Sequence, residues 1–172
     1  MKQYAKSFKV FEESYYTPGL RYPKQLDLSK EEIDIVKQFK WTDLDWEQIG
    51  NDGHNIAWLN LLQPLDFDIS DGVVVDIQII KGTFYQVHIS LAEQLRGIGL
   101  GTKIYQSLVR WLGHIYSGKG RRSNPIIENI FNVLRKDPKL KCVSNSLGDM
   151  CVDLKNPDAD GYLATFLAVK DE

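Results

Sequence analysis

Cysteine is scarce in this chain: two of 172 residues, Cys142 and Cys151. Two thiols cannot build a disulfide framework, and they do not match a zinc-ligand spacing. A hairpin over residues 141–154, turning at Ser146-Leu147, would set them opposite each other, so one bond is geometrically open. In a reducing compartment, two free thiols are the expectation. Histidine is equally sparse: His54, His88 and His114 are all there is, and none pairs with nearby Asp or Cys at a metal or triad spacing. No apolar run approaches the roughly 18 residues of a membrane helix. Residues 1–10 lack the apolar core of a signal peptide. A cytoplasmic protein without membrane contact is expected. Charge of one sign is lacking too: the formal net charge is −2, which gives no whole-molecule field toward nucleic acid. What remains, 43% hydrophobic and 26% charged residues, suits one soluble domain.

Along the chain, residues 7–11 read as a first strand. Ser29 and Glu32 fit a capping box that opens a helix to about Lys40. A second short helix is expected over 43–49. Strands follow at 56–62, 73–80 and 83–91, with a tight turn at Lys81-Gly82. In the last of these, Tyr85, Val87, Ile89 and Leu91 share one face, and Gln86, His88 and Ser90 the other. A helix over 102–112 buries Leu100, Ile104, Leu108 and Trp111 or Leu112, and Gly113 ends it. A short strand at 114–117 leads to the basic loop Lys119, Arg121, Arg122. Asn124-Pro125 opens another helix, with Ile127, Ile130, Phe131 and Leu134 inward. Strands at 140–145, 150–154 and 162–169 complete a mixed α/β layout around one sheet.

The most informative stretch is Arg96-Gly97-Ile98-Gly99-Leu100-Gly101, at a strand-to-helix junction. Glycines let backbone approach a ligand closely, and a helix N-terminus favours an anion. The stretch lacks the Gly-Lys-Ser/Thr ending of a Walker loop, because Ile104 follows Lys103. It also lacks the Gly-x-Gly-x-x-Gly spacing and first βαβ strand of a dinucleotide fold. With its preceding run Leu91-Ala92-Glu93-Gln94-Leu95, it resembles the acetyl-CoA loop of the GNAT superfamily of acyl-CoA-dependent N-acetyltransferases. Arg96, Gly99 and Gly101 match the pattern Gln/Arg-x-x-Gly-x-Gly/Ala. The order of elements over about 55–155 also resembles that fold.

The resemblance implies a mixed α+β domain whose central, mostly antiparallel sheet is flanked by helices and splayed at the acyl-CoA strand, opened there by a bulge. One domain is expected over 1–172, with a variable part at 1–54, a cofactor-binding core at 55–155 and a C-terminal strand and tail at 156–172. Acetyl-CoA would be the cosubstrate. Its diphosphate would lie on the N–H groups of Arg96, Gly97, Ile98, Gly99, Leu100, Gly101 and Thr102, and its pantetheine arm along the main chain of Ile89 and Leu91. Asn124 stands where members carry an Asn, and reads equally as a helix N-cap. The acceptor would be an amine of a small molecule or a protein.

Acyl transfer also needs proton acceptors and donors. The main-chain N–H near Leu91 would serve the oxyanion. The family's acidic Tyr is replaced: Phe131 falls at its position. No carboxylate lies on 83–90, which leaves His88 and Asp76 as candidate bases, each equally readable as an ordinary strand residue. Tyr116 lies near the same region, without an assigned role. Asp66, Asp68 and Asp71 read as a solvated turn or an attractor for a cationic amine. Lys119, Arg121 and Arg122 read as a solvated loop or a contact to a nucleotide phosphate. With Arg135, Lys136, Lys139 and Lys141 they form a patch that Glu128 and Asp137 interrupt, which argues against a nucleic-acid face. The aromatics Tyr15, Tyr16, Tyr22, Trp41 and Trp46 read as specificity contacts or as core caps. The missing Tyr and Glu keep a second reading open: a non-catalytic module of this fold that binds CoA or a partner.

Overall fold

The computed structural model describes residues 22–51, 54–118 and 124–169. The expected strand at 7–11, Tyr15, Tyr16 and the basic residues at 119–122 lie outside the described residues. The elements are α1 (Lys30–Lys37), β1 (Leu44–Asn51), β2 (His54–Leu61), β3 (Val73–Ile80), β4 (Phe84–Leu91), α2 (Leu100–Leu112), β5 (His114–Gly118), α3 (Pro125–Arg135), β6 (Leu140–Ser144), β7 (Gly148–Asp153) and α4 (Ala159–Ala168). The strands form one sheet in the order β1-β2-β3-β4-β5-β7-β6. Every neighbouring pair is antiparallel except β4–β5.

Several elements follow their sequence signals directly. Ser29 Oγ accepts from the Glu32 N–H, and the Glu32 carboxylate accepts from the Ser29 N–H, closing the capping box. Helix α1 stops at Lys37, short of Lys40. Lys81 (φ 52°) and Gly82 (φ 70°) both turn left-handed, and the Thr83 N–H closes the turn on Ile80. Lys81 is the rare non-glycine residue in that region. Asn124 caps α3 by accepting from the Ile126 N–H, with Pro125 in the first turn.

Two elements differ from expectation. Residues 43–49 do not form an α-helix: Asp43 ends a short 3-10 turn over Trp41–Asp43, and 44–49 lie in β1, which pairs with β2 over its whole length. The alternation of Leu44 and Trp46 inward with Asp45 and Glu47 outward is a period of two, not 3.6. Trp46 Nε1 then donates to Ser107 Oγ on α2 at 2.9 Å, which ties β1 to the central helix. Residues 162–169 do not form a strand: 162–168 lie in α4, and Val169 follows as its C-cap. Asn156 Oδ1 receives the Asp158 N–H and starts the turn. Ala159, Leu163 and Phe166 are then buried at helical spacing. A short apolar run is ambiguous between the two periods, and here the sheet needed a cover.

The sheet is covered on both faces. On one, α2 and α3 pack Leu100, Ile104, Leu108, Ile130 and Phe131 against Val75, Ile77 and Val87. On the other, α4 packs Phe166 and Leu163 over Phe84, Tyr116, Met150 and Val152.

The two cysteines are bonded to each other, contrary to the expectation of free thiols. Asn145 N–H to Gly148 O and Leu154 N–H to Lys139 O are ladder bonds of the β6–β7 hairpin. Counting alternate pairs between them makes Cys142–Cys151 a non-hydrogen-bonded pair. Such pairs are the closer kind in an antiparallel ladder, and the Cα atoms stand 4.1 Å apart. Register proved decisive; compartment had been the basis of the expectation.

Candidate functional site

Strand β4 has two edges of different character. Toward β3 the pairing is continuous, from Val73–Leu91 to Ile80–Phe84, so no bulge interrupts it. Toward β5 the ladder holds a single pair, Gln86–Tyr116. Two side chains end it there. Gln86 Oε1 accepts the Gly118 N–H at 3.0 Å, and the Tyr105 hydroxyl, from α2, stands 3.5 Å from the Val87 carbonyl. Both backbone groups belong to the next rungs that a parallel ladder would have used. The strands part without the expected bulge, because side chains occupy the groups that would have joined them.

Alternation decides which backbone groups face the opening. The Tyr85 N–H reaches His114 Nε2, and the Leu91 carbonyl accepts from Arg96 Nε at 2.9 Å. Ala92, out of phase with these, bonds to Gly72 on the β3 side. Residues 85, 87, 89 and 91 therefore turn away from β3. The N–H and C=O of Ile89 and the N–H of Leu91 face the gap, whereas the Leu91 carbonyl is taken by Arg96.

The gap opens into a cleft of about 520 Å³. Its walls are Ile89, Ser90 and Leu91 from β4, residues 95–102 of the loop and first turn of α2 apart from Ile98, and Ile126, Asn129 and Ile130 from α3. Of the expected cofactor contacts, Ile89, Leu91, Arg96, Gly97, Gly99, Leu100, Gly101 and Thr102 line it. Ile98 and Asn124 do not; Asn124 serves as the α3 cap. Asn129 was missed, one turn further along α3, because a helical Asn gives no spacing signal of its own. Among the described residues, Arg96 is the only charged one in the lining.

The loop geometry needs glycine. Gly97 and Gly99 have φ of 73° and 82°, and a Cβ on either would meet open space. Gly99 is the N-cap of α2 and supplies no side-chain acceptor. The first intrahelical bond is Lys103 N–H to Gly99 O, so the N–H groups of Leu100, Gly101 and Thr102 have no intrahelical partner. Together with the helix dipole they favour an anion. Leu95, fully buried, fixes the loop from beneath. Gln94 holds it from the side, accepting the Leu28 N–H and donating to the Leu28 carbonyl.

On the opposite face of the sheet, Asp76 and His88 are direct cross-strand partners. Asp76 is 6% exposed and His88 half-buried. Ser90, two residues along the same face, is exposed and lines the cleft. The other histidines differ. His114 is fully buried, its ring between Tyr85 (4.7 Å) and Tyr162 (3.9 Å). Burial pushes its pKa down to about 3. Burial, with Tyr162 alongside, pushes the Tyr85 hydroxyl up to about 12. His54 begins β2; its side chain is outside the described residues.

Phe131 is buried with its ring edge-on to Tyr105, centroids 6.2 Å apart. Tyr116 donates to the Leu147 carbonyl at 3.0 Å and is buried under α4. Trp46 is core, and Trp41 lies 4.4 Å from the Arg110 guanidinium, which pairs with Asp137. Tyr22 stands in solvent. In the supposed basic patch, Arg135 is engaged by Glu128, Asn132 and Asp149. The Asp68 carboxylate accepts from the Ser70 N–H, and Asp71 pairs with Lys24 at 3.8 Å. Among the described residues there is no metal-binding cluster and no helix long and apolar enough to cross a membrane. No family model, curated protein or solved structure matches this chain.

Proposed function

We propose that this protein is an acyl-CoA-dependent N-acetyltransferase of the GNAT type, moving an acetyl group from acetyl-CoA to an amine. One observation carries the reading: an uncapped helix start, preceded by two left-handed glycines, opens into a cleft that continues along a strand edge left unpaired among the described residues. A diphosphate suits the first part, since its charge meets the free N–H groups and the dipole. An amide-bearing arm suits the second, since Ile89 presents a donor and an acceptor in strand spacing. Arg96 adds a positive charge to the lining, where a phosphate would need it.

The chemistry is an attack by amine nitrogen on the thioester carbon. A main-chain N–H of the β4 edge, at Ile89 or Leu91, steadies the carbonyl oxygen as it gains charge. His88, with Asp76 as its cross-strand partner, takes the proton from the ammonium. The acceptor would approach from the His88 face, past Ser90, while the cofactor enters from the α2–α3 side. Phe131, buried in the core, supports the second reading, a module that holds CoA without turnover.

Calorimetry with acetyl-CoA tests the first step. The wild-type protein binds, and Gly99→Asp, which puts a carboxylate into the diphosphate position, lowers affinity by more than about tenfold, or ~1.4 kcal/mol. No saturable binding by the wild type, or equal binding by the variant, sinks the reading. Release of free CoA thiol in the presence of a panel of amines then separates the enzyme from the silent module.

A further inference from the structure

A second cavity lies between α1 and the connection from β2 to β3. It measures about 270 Å³ and is lined by Glu32, Ile35, Pro64, Leu65, Asp66 and Phe67. We propose that it is a docking site for a partner protein, occupied by an arginine side chain on an apolar segment of that partner. The inference stands apart from the acetyl-CoA reading: among the described residues, the cavity and the cleft share no wall. Its walls are held in advance. The Asp68 carboxylate accepts the Ser70 N–H, and the Ser70 hydroxyl donates to the Leu59 carbonyl, which pins the connection to β2. Phe67 packs against the core, and the Pro64 ring fixes its own φ. On the other side, the capping box sets the first turn of α1, which carries Glu32. A preformed wall lowers the ordering cost of binding.

Size, charge and apolar surface together choose the occupant. About 270 Å³ falls below the roughly 300–1,000 Å³ of sites that enclose a whole small molecule, and suits one side chain. Among the described residues, the charged groups of the lining are both carboxylates. Asp66 is exposed, and its carboxylate has no hydrogen bond or ion pair among the described residues. Glu32 uses Oε1 on the Ser29 N–H, which leaves Oε2 for a second donor. Residues 62–69 hold Asp66 and Asp68 and no Lys or Arg. A cation is the complement of such a wall. Apolar surface then selects which cation. Ile35, in the lining, is 43% exposed, and Leu62, two residues before Pro64, is 60% exposed. An ammonium is strongly hydrated and resists such surroundings. A guanidinium is planar, more weakly hydrated and able to lie on aromatic or apolar groups, and its fork of donors reaches carboxylates on two elements at once. Its aliphatic stem covers Leu65 and Phe67. Apolar residues flanking the arginine cover Ile35 and Leu62, so that a charged anchor sits within an apolar contact, as in protein interfaces.

NMR titration with synthetic peptides tests this. One peptide is acetylated, amidated Ala-Leu-Arg-Leu-Ala; a second carries citrulline, a neutral isostere, in place of arginine; a third carries lysine there. The arginine peptide should bind saturably and shift the amides of residues 31–36 and 62–68. The citrulline peptide should bind about tenfold more weakly. Asp66→Asn should lose about tenfold of affinity for the arginine peptide and keep the wild-type affinity for the citrulline peptide. Ile35→Ser removes apolar contact and no charge, so it should weaken both peptides by the same factor, and it answers alone if Asp66→Asn does not fold. Equal binding of the arginine and citrulline peptides, no binding of either, or shifts confined to other residues overturns the proposal. Tighter binding of the lysine peptide overturns the choice of arginine. Sedimentation gives the remaining arm: self-association of the wild type that Asp66→Asn abolishes, without peptide binding, makes a second copy the occupant and overturns the partner. Acetyl-CoA affinity should be unchanged in Asp66→Asn, so failure here and failure of the cofactor reading are told apart.

Discussion

Gln86 reaches the Gly118 N–H with its side-chain carbonyl, at the rung where β5 would next have joined β4. A side chain thereby substitutes for a strand and holds two backbones apart. Replacing it with Leu leaves a half-buried N–H without its acceptor, which costs about 1–3 kcal/mol. Urea unfolding of Gln86→Leu should show that loss. The same variant should bind acetyl-CoA more weakly than its stability loss alone accounts for, because β5 is free to close on the Ile89 edge. Wild-type affinity at reduced stability would reject that second part.

His114 makes the protein acid-sensitive in a defined window. Its folded pKa, about 3, lies below the unfolded value of 6.5. The neutral ring accepts the Tyr85 N–H through Nε2, and its stabilising share is complete above pH 6.5. As pH falls from 6.5 toward 3, the unfolded chain binds a proton that the folded chain refuses. Stability then drops by up to about 1.4 kcal/mol per pH unit. His114→Gln, which keeps an acceptor but does not titrate, should be less stable at pH 7 and flatter between pH 6.5 and 5. Parallel slopes of the two proteins in denaturant titrations across that window would refute the assignment.

The Cys142–Cys151 bond closes a loop of nine residues in sequence separation. Chain-entropy reasoning gives such a short loop about 2–3 kcal/mol. Reduction, or the Cys142→Ser, Cys151→Ser double variant, should lower the melting temperature by several degrees without altering the α2 N-terminus. A differential scanning measurement with and without reductant checks it. An unchanged transition would mean that the hairpin is held by its ladder alone.

Asp76 and His88 face each other across β3 and β4, so their substitutions should not add. His88→Gln and Asp76→Asn should each lower kcat by about 10²-fold in a thiol-release assay, and the double variant little further. Acetyl-CoA affinity should be preserved in all three, since both side chains lie on the sheet face away from the glycine loop. Fully multiplicative losses would separate the two residues.

The glycine loop was legible because its constraint is local: positive φ at Gly97 and Gly99 and an empty approach side are written into residue type. The capping box at Ser29 and the Asn124-Pro125 start were legible for the same reason. Trp46 and Phe166 were not, because each sits in a short apolar segment whose period is decided by what it covers. Trp46 is fixed by Ser107, sixty-one residues away, and Phe166 by Phe84 and Tyr116. The opening between β4 and β5 was expected from a bulge but arises from Gln86 and Tyr105, side chains that reach backbone on other elements. Asn129 entered the cleft only through the placement of α3. The cysteine pairing depended on register, which alternating sequence permits but does not by itself select.

The lone Gln86–Tyr116 rung has a mechanical meaning. Four strands lie on one side of it and three on the other, and every other ladder is internal to one of these leaves. Side chains bridge the seam beside that rung: Gln86 accepts the Gly118 N–H and His114 accepts the Tyr85 N–H. Side chains therefore share with the backbone the joining of the two halves of the sheet, and a substitution at either position acts on a seam that a full ladder would have made insensitive to it.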